Sequence, residues 1–293
     1  MIGYGVNAAC LSARKCHQLQ PRILPTDYSS MYLRAVHAEL DLPVLQGFIR
    51  ENPLGILTTA IQSSDYPFIQ SSHIPFVLDV PEPANNDKML LRGHIARQNP
   101  QAQAIISVLE ARKTLSGLAS SDLQSLQLPD EVLVLFTSSP NHYITPKFYT
   151  ETKPTTGKVV PTWNYSAVQA YGKATVYYDS KSERTEAFLA KQIRDLSQHA
   201  ETNLMGYEFG TAWKVSDAPE PYIEIMKKNI IGIQIEIERL EGKFKMSQEM
   251  GLGDRYGVIE GLKNLGTEAG AAVGQMVKER GDLKDSSKIA ISK

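Results

Sequence analysis

Gly157-Lys158-Val159-Val160-Pro161-Thr162-Trp163-Asn164-Tyr165-Ser166-Ala167-Val168-Gln169-Ala170-Tyr171-Gly172 fits neither a helical nor a strict two-residue period. One of the chain's two tryptophans stands here beside Asn164, Ser166, Gln169 and two tyrosines, and Lys173 follows. Rings cover the face of a planar polar ligand while amides bond its edges, so this mixture suits such a ligand. On composition alone the plainer reading carries more weight: a Pro-Thr-Trp turn running into a strand over residues 168–177.

Working outward, 293 residues allow one large domain or two small ones. A net charge of −1 supplies no basic field to draw the protein onto nucleic acid, and no helix-turn-helix is readable, so direct DNA binding is not supported. The two cysteines, Cys10 and Cys16, match neither a CxxC redox motif nor a zinc site, and the body has none. A reducing compartment fits, cytoplasmic or nuclear. Apolar runs are too short to span a membrane. Residues 1–30 have no acid before Asp27 but carry Arg14, Lys15 and Arg22, which leaves a mitochondrial address open although Pro21 and Pro25 interrupt the pattern.

Leu42, Leu45, Phe48 and Ile49 have helical spacing, which Asn52-Pro53 ends. Residues 54–60, 73–80 and 89–95 read as short strands of a meander, and residues 99–113 as a helix. A surface stretch over 115–130 leads to a strand at 131–137. The long aromatic loop 138–156 has the character of a functional loop. A strand at 174–178 and an amphipathic helix at 181–199 follow. Asp217 and Pro219 then open another helix. In 230–240 Ile231, Ile233, Ile235 and Ile237 alternate with Gly232, Gln234, Glu236 and Glu238, the clearest strand of the chain. Six strands with interspersed helices favour an α+β, mainly β barrel over a doubly wound sheet. Residues 266–293 carry no strong apolar stripe and are expected to be poorly ordered.

Residues 91–101, Leu-Arg-Gly-His-Ile-Ala-Arg-Gln-Asn-Pro-Gln, join a strand end to a helix start, a place where amides and arginine bind phosphate. Asn99 as N-cap with Pro100 at the first helical position explains the same residues without a ligand. Further blocks are Ser71–Phe76, His142–Pro146, Arg239–Gln248 and Asp254–Val258.

Taken in order with the opening run, these blocks resemble the PaiB-type FMN-binding negative transcriptional regulators, over about residues 31–265. The family segments GKVVPTWNY, RGHxARxNPQ, SHxP, HxYIxP, RLEGKxKxSQ and an acidic-Arg-x-Gly-Val ending all have counterparts. The resemblance implies a six-stranded antiparallel split β-barrel of the FMN-binding type with surrounding helices, and a homodimer with flavin at its interface. It implies that Arg97 and His94 hold the FMN phosphate with Ser72 and Thr58 assisting. Lys158, Trp163, Asn164 and Tyr165 would border the isoalloxazine, and Lys243, Ser247, Gln248 and Arg255 complete the site, from this chain or its partner. Family-like sequence begins at Met31, so residues 1–30 are read as a leader or extended start.

A flavin- or redox-responsive regulator and an FMN-dependent oxidoreductase acting on a nicotinamide or small metabolite both remain open, since one barrel supports both. No dinucleotide fingerprint, Walker loop, H-E-x-x-H or G-x-S-x-G elbow occurs, and no catalytic residue is assigned. His37, His73, His94 and His142 are scattered along the body. Haem is therefore a minor alternative and no metal site is expected.

Overall fold

The computed structural model describes residues 31–82, 88–116 and 126–291. The chain divides into units Met1–Tyr32 and Leu33–Lys293, and the second is described below. The expected leader over 1–30 lies outside the described residues, as does most of the surface stretch after residue 116.

The elements run β1 (Ala38–Glu39), α1 (Leu42–Glu51), β2 (Leu54–Ala60), β3 (Ile69–Pro75), β4 (Val77–Asp79), β5 (Leu90–Ala96) and α2 (Pro100–Ser116). They continue with β6 (Gln127–Thr137), β7 (His142–Ile144), α3 (Thr152–Thr156), β8 (Thr162–Tyr177), α4 (Glu183–His199) and α5 (Glu220–Lys228). β9 (Ile230–Lys245), α6 (Leu252–Lys263) and α7 (Glu268–Ile291) complete the chain. Seven strands form an antiparallel path β3-β2-β6-β8-β9-β5-β4, with β1 on β9 and β7 on β8. Among the described residues the sheet therefore has nine strands where six were expected. The expected 73–80 strand breaks at Phe76 into β3 and β4, and the loop 138–156 contains β7 and α3.

The sheet path does not close through backbone bonds. Strands β3 and β5 instead meet through side chains: a Cβ at Gly93 of β5 would lie 2.9 Å from both Ile74 and Phe76. The isoleucine ladder of β9 supplies the centre of the core, with Leu57, Val134, Phe136, Val168, Ala170 and Val176 around it. Helix α1 contributes Leu45, Phe48 and Ile49, and α2 contributes Ala102, Ile105 and Leu109.

One irregularity decides which side chains face outward. Ile237 pairs with Gly172 and Arg239 with the adjacent Tyr171, so Glu238 is the extra residue of a bulge. Before it the odd-numbered isoleucines point inward; beyond it Leu240 joins the core and Arg239, Glu241, Lys243 and Lys245 point out. Glycine is required at 172 because a Cβ there would come within 1.9 Å of the Glu236 carbonyl oxygen.

Residues after 265 correct the expectation of a poorly ordered tail. They form α7, which packs on α6 and on the 142–149 segment in a second core of Ile144, Tyr149, Met246, Val258, Leu262, Val273 and Val277. Its buried positions are Gly270, Val273, Gly274, Val277 and Gly281, so glycines fill much of a helical stripe and the apolar period is hidden. Helix α5 begins at Glu220 with Pro219 as N-cap, while Asp217 accepts instead from the Lys214 amide, 2.9 Å away in the preceding turn.

Candidate functional site

Strand pairing lines up the outward side chains of five strands in rows. The first row reads Ser71, Thr58, Leu133, Tyr171, Arg239, and the second His73, Ile56, Leu135, Gln169, Glu241. Thr137, Ala167 and Lys243 form a third, and Tyr165 with Lys245 a fourth. Thr58 Oγ1 and Ser71 Oγ share a hydrogen bond of 2.9 Å at the β3 edge. Tyr171 donates its hydroxyl to Gln169 Oε1 at 2.6 Å, and the Arg239 guanidinium lies 4.1 Å over the Tyr171 ring. Arg239 also pairs with Glu241 at 3.3 Å and Glu131 at 3.4 Å, while Lys243 lies 5.6 Å over Tyr165. The face thus runs from hydroxyls through half-buried Ile56, Leu133 and Leu135 to amide, phenol and cations.

Beside these rows the Trp163 segment divides by face. Trp163 is half exposed, donates Nε1–H to Asn141 Oδ1 at 3.0 Å and meets Tyr143 edge-on. Asn164 points the other way and is fully buried, exchanging bonds of 2.9 and 3.2 Å with Ser247. Ser247 has φ of 58°, a left-handed conformation that this exchange holds in place. Gln248 accepts from the Met246 amide at 2.6 Å and donates to the Phe244 carbonyl. Asn164, Ser247 and Gln248 therefore lock the end of β9 beneath the face. Lys245 donates to Thr162 Oγ1 and, at 3.0 Å, to the Trp163 carbonyl; burial pushes its ammonium pKa down. His37 and Glu249 are joined at 3.0 Å. Burial works against the Glu249 charge, but the His37 bond and the Lys245 charge outweigh it and hold that carboxyl below its usual 4.5.

The start of α2 forms a polar mouth at the β3 edge. Asn99 accepts from the Gln101 amide at 2.8 Å and donates to Ser72 Oγ at 3.1 Å, so the N-cap reading holds. Gln101 Nε2 reaches Leu57 O, Thr59 Oγ1 and Gln70 O at 3.0–3.2 Å. Gln70 Oε1 and Gln101 Oε1 are buried acceptors with no partner. Both lie on the side of β2 and β3 that carries buried Thr59, opposite the Thr58 and Ser71 hydroxyls.

The remaining expected residues lie elsewhere. Arg97 donates to Tyr178 O at 2.5 Å and Lys228 O at 3.2 Å, tying strand ends together, and lines a cleft of about 490 Å³. His94 is half-buried with Nδ1 unpartnered, and burial lowers its pKa below 6.5. Ala96 lies opposite Ile230 and Tyr165 opposite Lys245; the fifteen residue steps of β9 from one position to the other are roughly 50 Å of strand path. The single chain does not bring Arg97 and Trp163 together. Lys158 is exposed on the loop after α3, and Arg255 is buried between α6 and α7, paired with Asp285.

Ser71, Gln169, Tyr171 and Arg239 stand in the stretches that the sequence marks but have no assigned role there, although alternation through 165–171 opposite 239–245 marks one face. Among the described residues no group of three His, Cys, Asp or Glu is placed to hold a metal ion, and no helix is long and apolar enough to cross a membrane.

Over residues 31–239 the chain matches the family described as "Putative FMN-binding domain". An uncharacterized protein of Aspergillus fumigatus is 63% identical over 264 residues, covering 87% of this chain and 99% of that protein. The Bacillus subtilis protein named protease synthase and sporulation protein PAI 2 is 26% identical over 238 residues, covering 81% of this chain and 89% of that protein. A crystal structure of a conserved hypothetical protein from Mycobacterium tuberculosis covers 75% of this chain and 94% of its own at 11% identity, with a TM-score of 0.41.

Proposed function

The chain belongs to the PaiB-type FMN-binding domain family, and from that premise we propose that it holds FMN on the outer sheet face and serves as a flavin- or redox-responsive regulator. The observation carrying this reading is the in-register row Ser71–Thr58–Leu133–Tyr171–Arg239. It offers, in order, partners for a polyol, an apolar bed for a flat ring, and a phenol and cation for the ring's polar edge. Gln169 adds an amide to that edge. Ser72, Asn99 and Arg97 stand nearest the end where the phosphate belongs. Lys243, Tyr165 and Trp163 border the opposite rim with Lys158 further out, while Arg255, buried against Asp285, braces α6 on α7. Asn164, Ser247 and Gln248 keep that rim in shape.

A second copy of the chain covers the face in this reading, because Ile56, Leu133 and Leu135 leave an apolar strip on an otherwise complete sheet. When bound, FMN supplies a planar centre that accepts one or two electrons. The protein's part is to orient the ring, exclude water from one side and place the Tyr171 and Gln169 pair at its edge.

The oxidoreductase reading rests on one feature, exposed His73 in the row with Gln169, a side chain able to exchange a proton near the ring. An absorbance spectrum of the purified protein, followed by anaerobic titration with reduced nicotinamide, tests both. The regulator reading expects stoichiometric flavin that the nicotinamide reduces only slowly. Rapid reduction at catalytic rates would replace it with the enzyme, and no flavin binding would end both.

A further inference from the structure

The last turns of α4 and the segment 209–216 enclose a cleft of about 310 Å³ that shares no residue with the outer sheet face. Its floor is apolar: Ala190, Ala212 and Val215. Its lips are the rings of Phe209 and Trp213, 64% and 44% exposed, a large amount of aromatic surface to leave in water. The segment is held by its own bonds. The Glu201 carboxylate accepts from the Trp213 amide at 3.1 Å, and the Glu208 carbonyl accepts from the Thr211 and Ala212 amides at 2.9 Å. The cleft therefore exists before any ligand arrives, which lowers the ordering cost of binding.

The polar lining joins neutral Ser197, Gln198 and Ser216 to two cations, Arg194 and Lys214, while the nearby Glu201 and Asp217 carboxylates are taken up by the Trp213 and Lys214 amides. Lys214 lies 5.1 Å over the Phe209 ring. Arg194 is 62% exposed and touches Asp195 at 3.3 Å, but that same carboxylate also serves Arg92 at 2.8 Å and Lys191. One carboxylate shared among three cations leaves positive charge at the Arg194 side of the cleft, although Asp79 takes a further share of Arg92. An apolar cleft lipped by two rings, with an arginine and a lysine in its lining, has the form of a receptor for a flat organic anion.

We propose that this cleft binds a small aromatic carboxylate, its ring between Phe209 and Trp213 and its carboxylate on Arg194 and Lys214. Calorimetric titration of the full chain with naphthalene-2-carboxylate, and equilibrium dialysis with the uncharged naphthalene-2-methanol, test the assignment. One site per chain is expected, with the carboxylate bound about tenfold or more tighter than the alcohol. R194A/K214A, two exposed positions, should erase that preference and keep the circular dichroism spectrum and melting temperature. Ala190→Phe should fill the slot and abolish binding of both probes. Saturation with FMN should leave the titration unchanged.

Absence of saturable binding, equal affinity for the two probes, or a charge preference surviving R194A/K214A would overturn the proposal. Competition by FMN would also overturn it, since the probe would then report the flavin site. Affinity that rises on dilution would overturn it as well, since a second copy of the chain would then be the occupant of the cleft.

Discussion

Thr58→Val is the sharpest probe of the outer face. Valine copies threonine's shape and favours a strand, and Thr58 faces outward, so only the hydroxyl is lost. In the protein that hydroxyl shares one hydrogen bond of 2.9 Å with Ser71. Two hydroxyls carry two donors and several lone pairs, and their mutual bond uses one of each, so a donor and further acceptors remain for a ribityl chain. Losing one neutral hydrogen bond costs about 0.5–1.5 kcal/mol, which weakens FMN binding about twofold to tenfold. Riboflavin should lose as much, since the contact is to the chain it shares with FMN. Lumiflavin, which has no ribityl chain, should bind Thr58→Val and the parent equally. Flavin fluorescence titrated into apoprotein reads all three. An unchanged FMN affinity, or an equal loss for lumiflavin, would refute the placement of the ribityl chain at this edge.

Gly172→Ala should destabilise the fold by roughly 1–3 kcal/mol or more, because the new Cβ would stand 1.9 Å from a backbone oxygen that cannot rotate away; thermal denaturation checks it. Glu249 has a folded pKa below its unfolded 4.5, so its stabilising effect is complete above pH 4.5 and disappears as pH falls through the lower folded value. Glu249→Gln should therefore be less stable than the parent at neutral pH, and the gap should close below pH 4.5; chemical denaturation at several pH values would expose a gap that stays constant. Arg97→Ala removes donors to the Tyr178 and Lys228 carbonyls and should lower the melting temperature. Any contact to phosphate would add a loss of FMN affinity beyond that for riboflavin, and a melting temperature equal to the parent's would contradict the tie between strand ends.

The strong periods were readable in the chain. Residues 54–60 and the helix over 181–199 lie where their patterns place them, and the isoleucine alternation is the inner face of β9. The bulge was not readable: Glu238 continues the alternation in sequence, and only the partner strand shows that the face changes after it. That shift puts Arg239, Glu241 and Lys243 outward, so the outer rows became visible only with register known. Helix α7 was hidden because Gly270, Gly274 and Gly281 occupy buried positions where a larger apolar residue would have marked the period. Asn164, Ser247 and Gln248 look like ligand groups in sequence, yet their bonds are to one another and to backbone, a distinction that depends on the fold. His94 and Arg97 were grouped with Trp163 because all lie in matching family blocks, and one-dimensional order carries no measure of their separation along β9.

The most direct measurement is an experimental structure of the protein with FMN. The account predicts the isoalloxazine within about 4 Å of Leu133 and Tyr171 on the outer face, with its ribityl chain at Thr58 and Ser71. A flavin found instead in the cleft lined by Arg97 and Tyr178, with the outer face untouched, would contradict it.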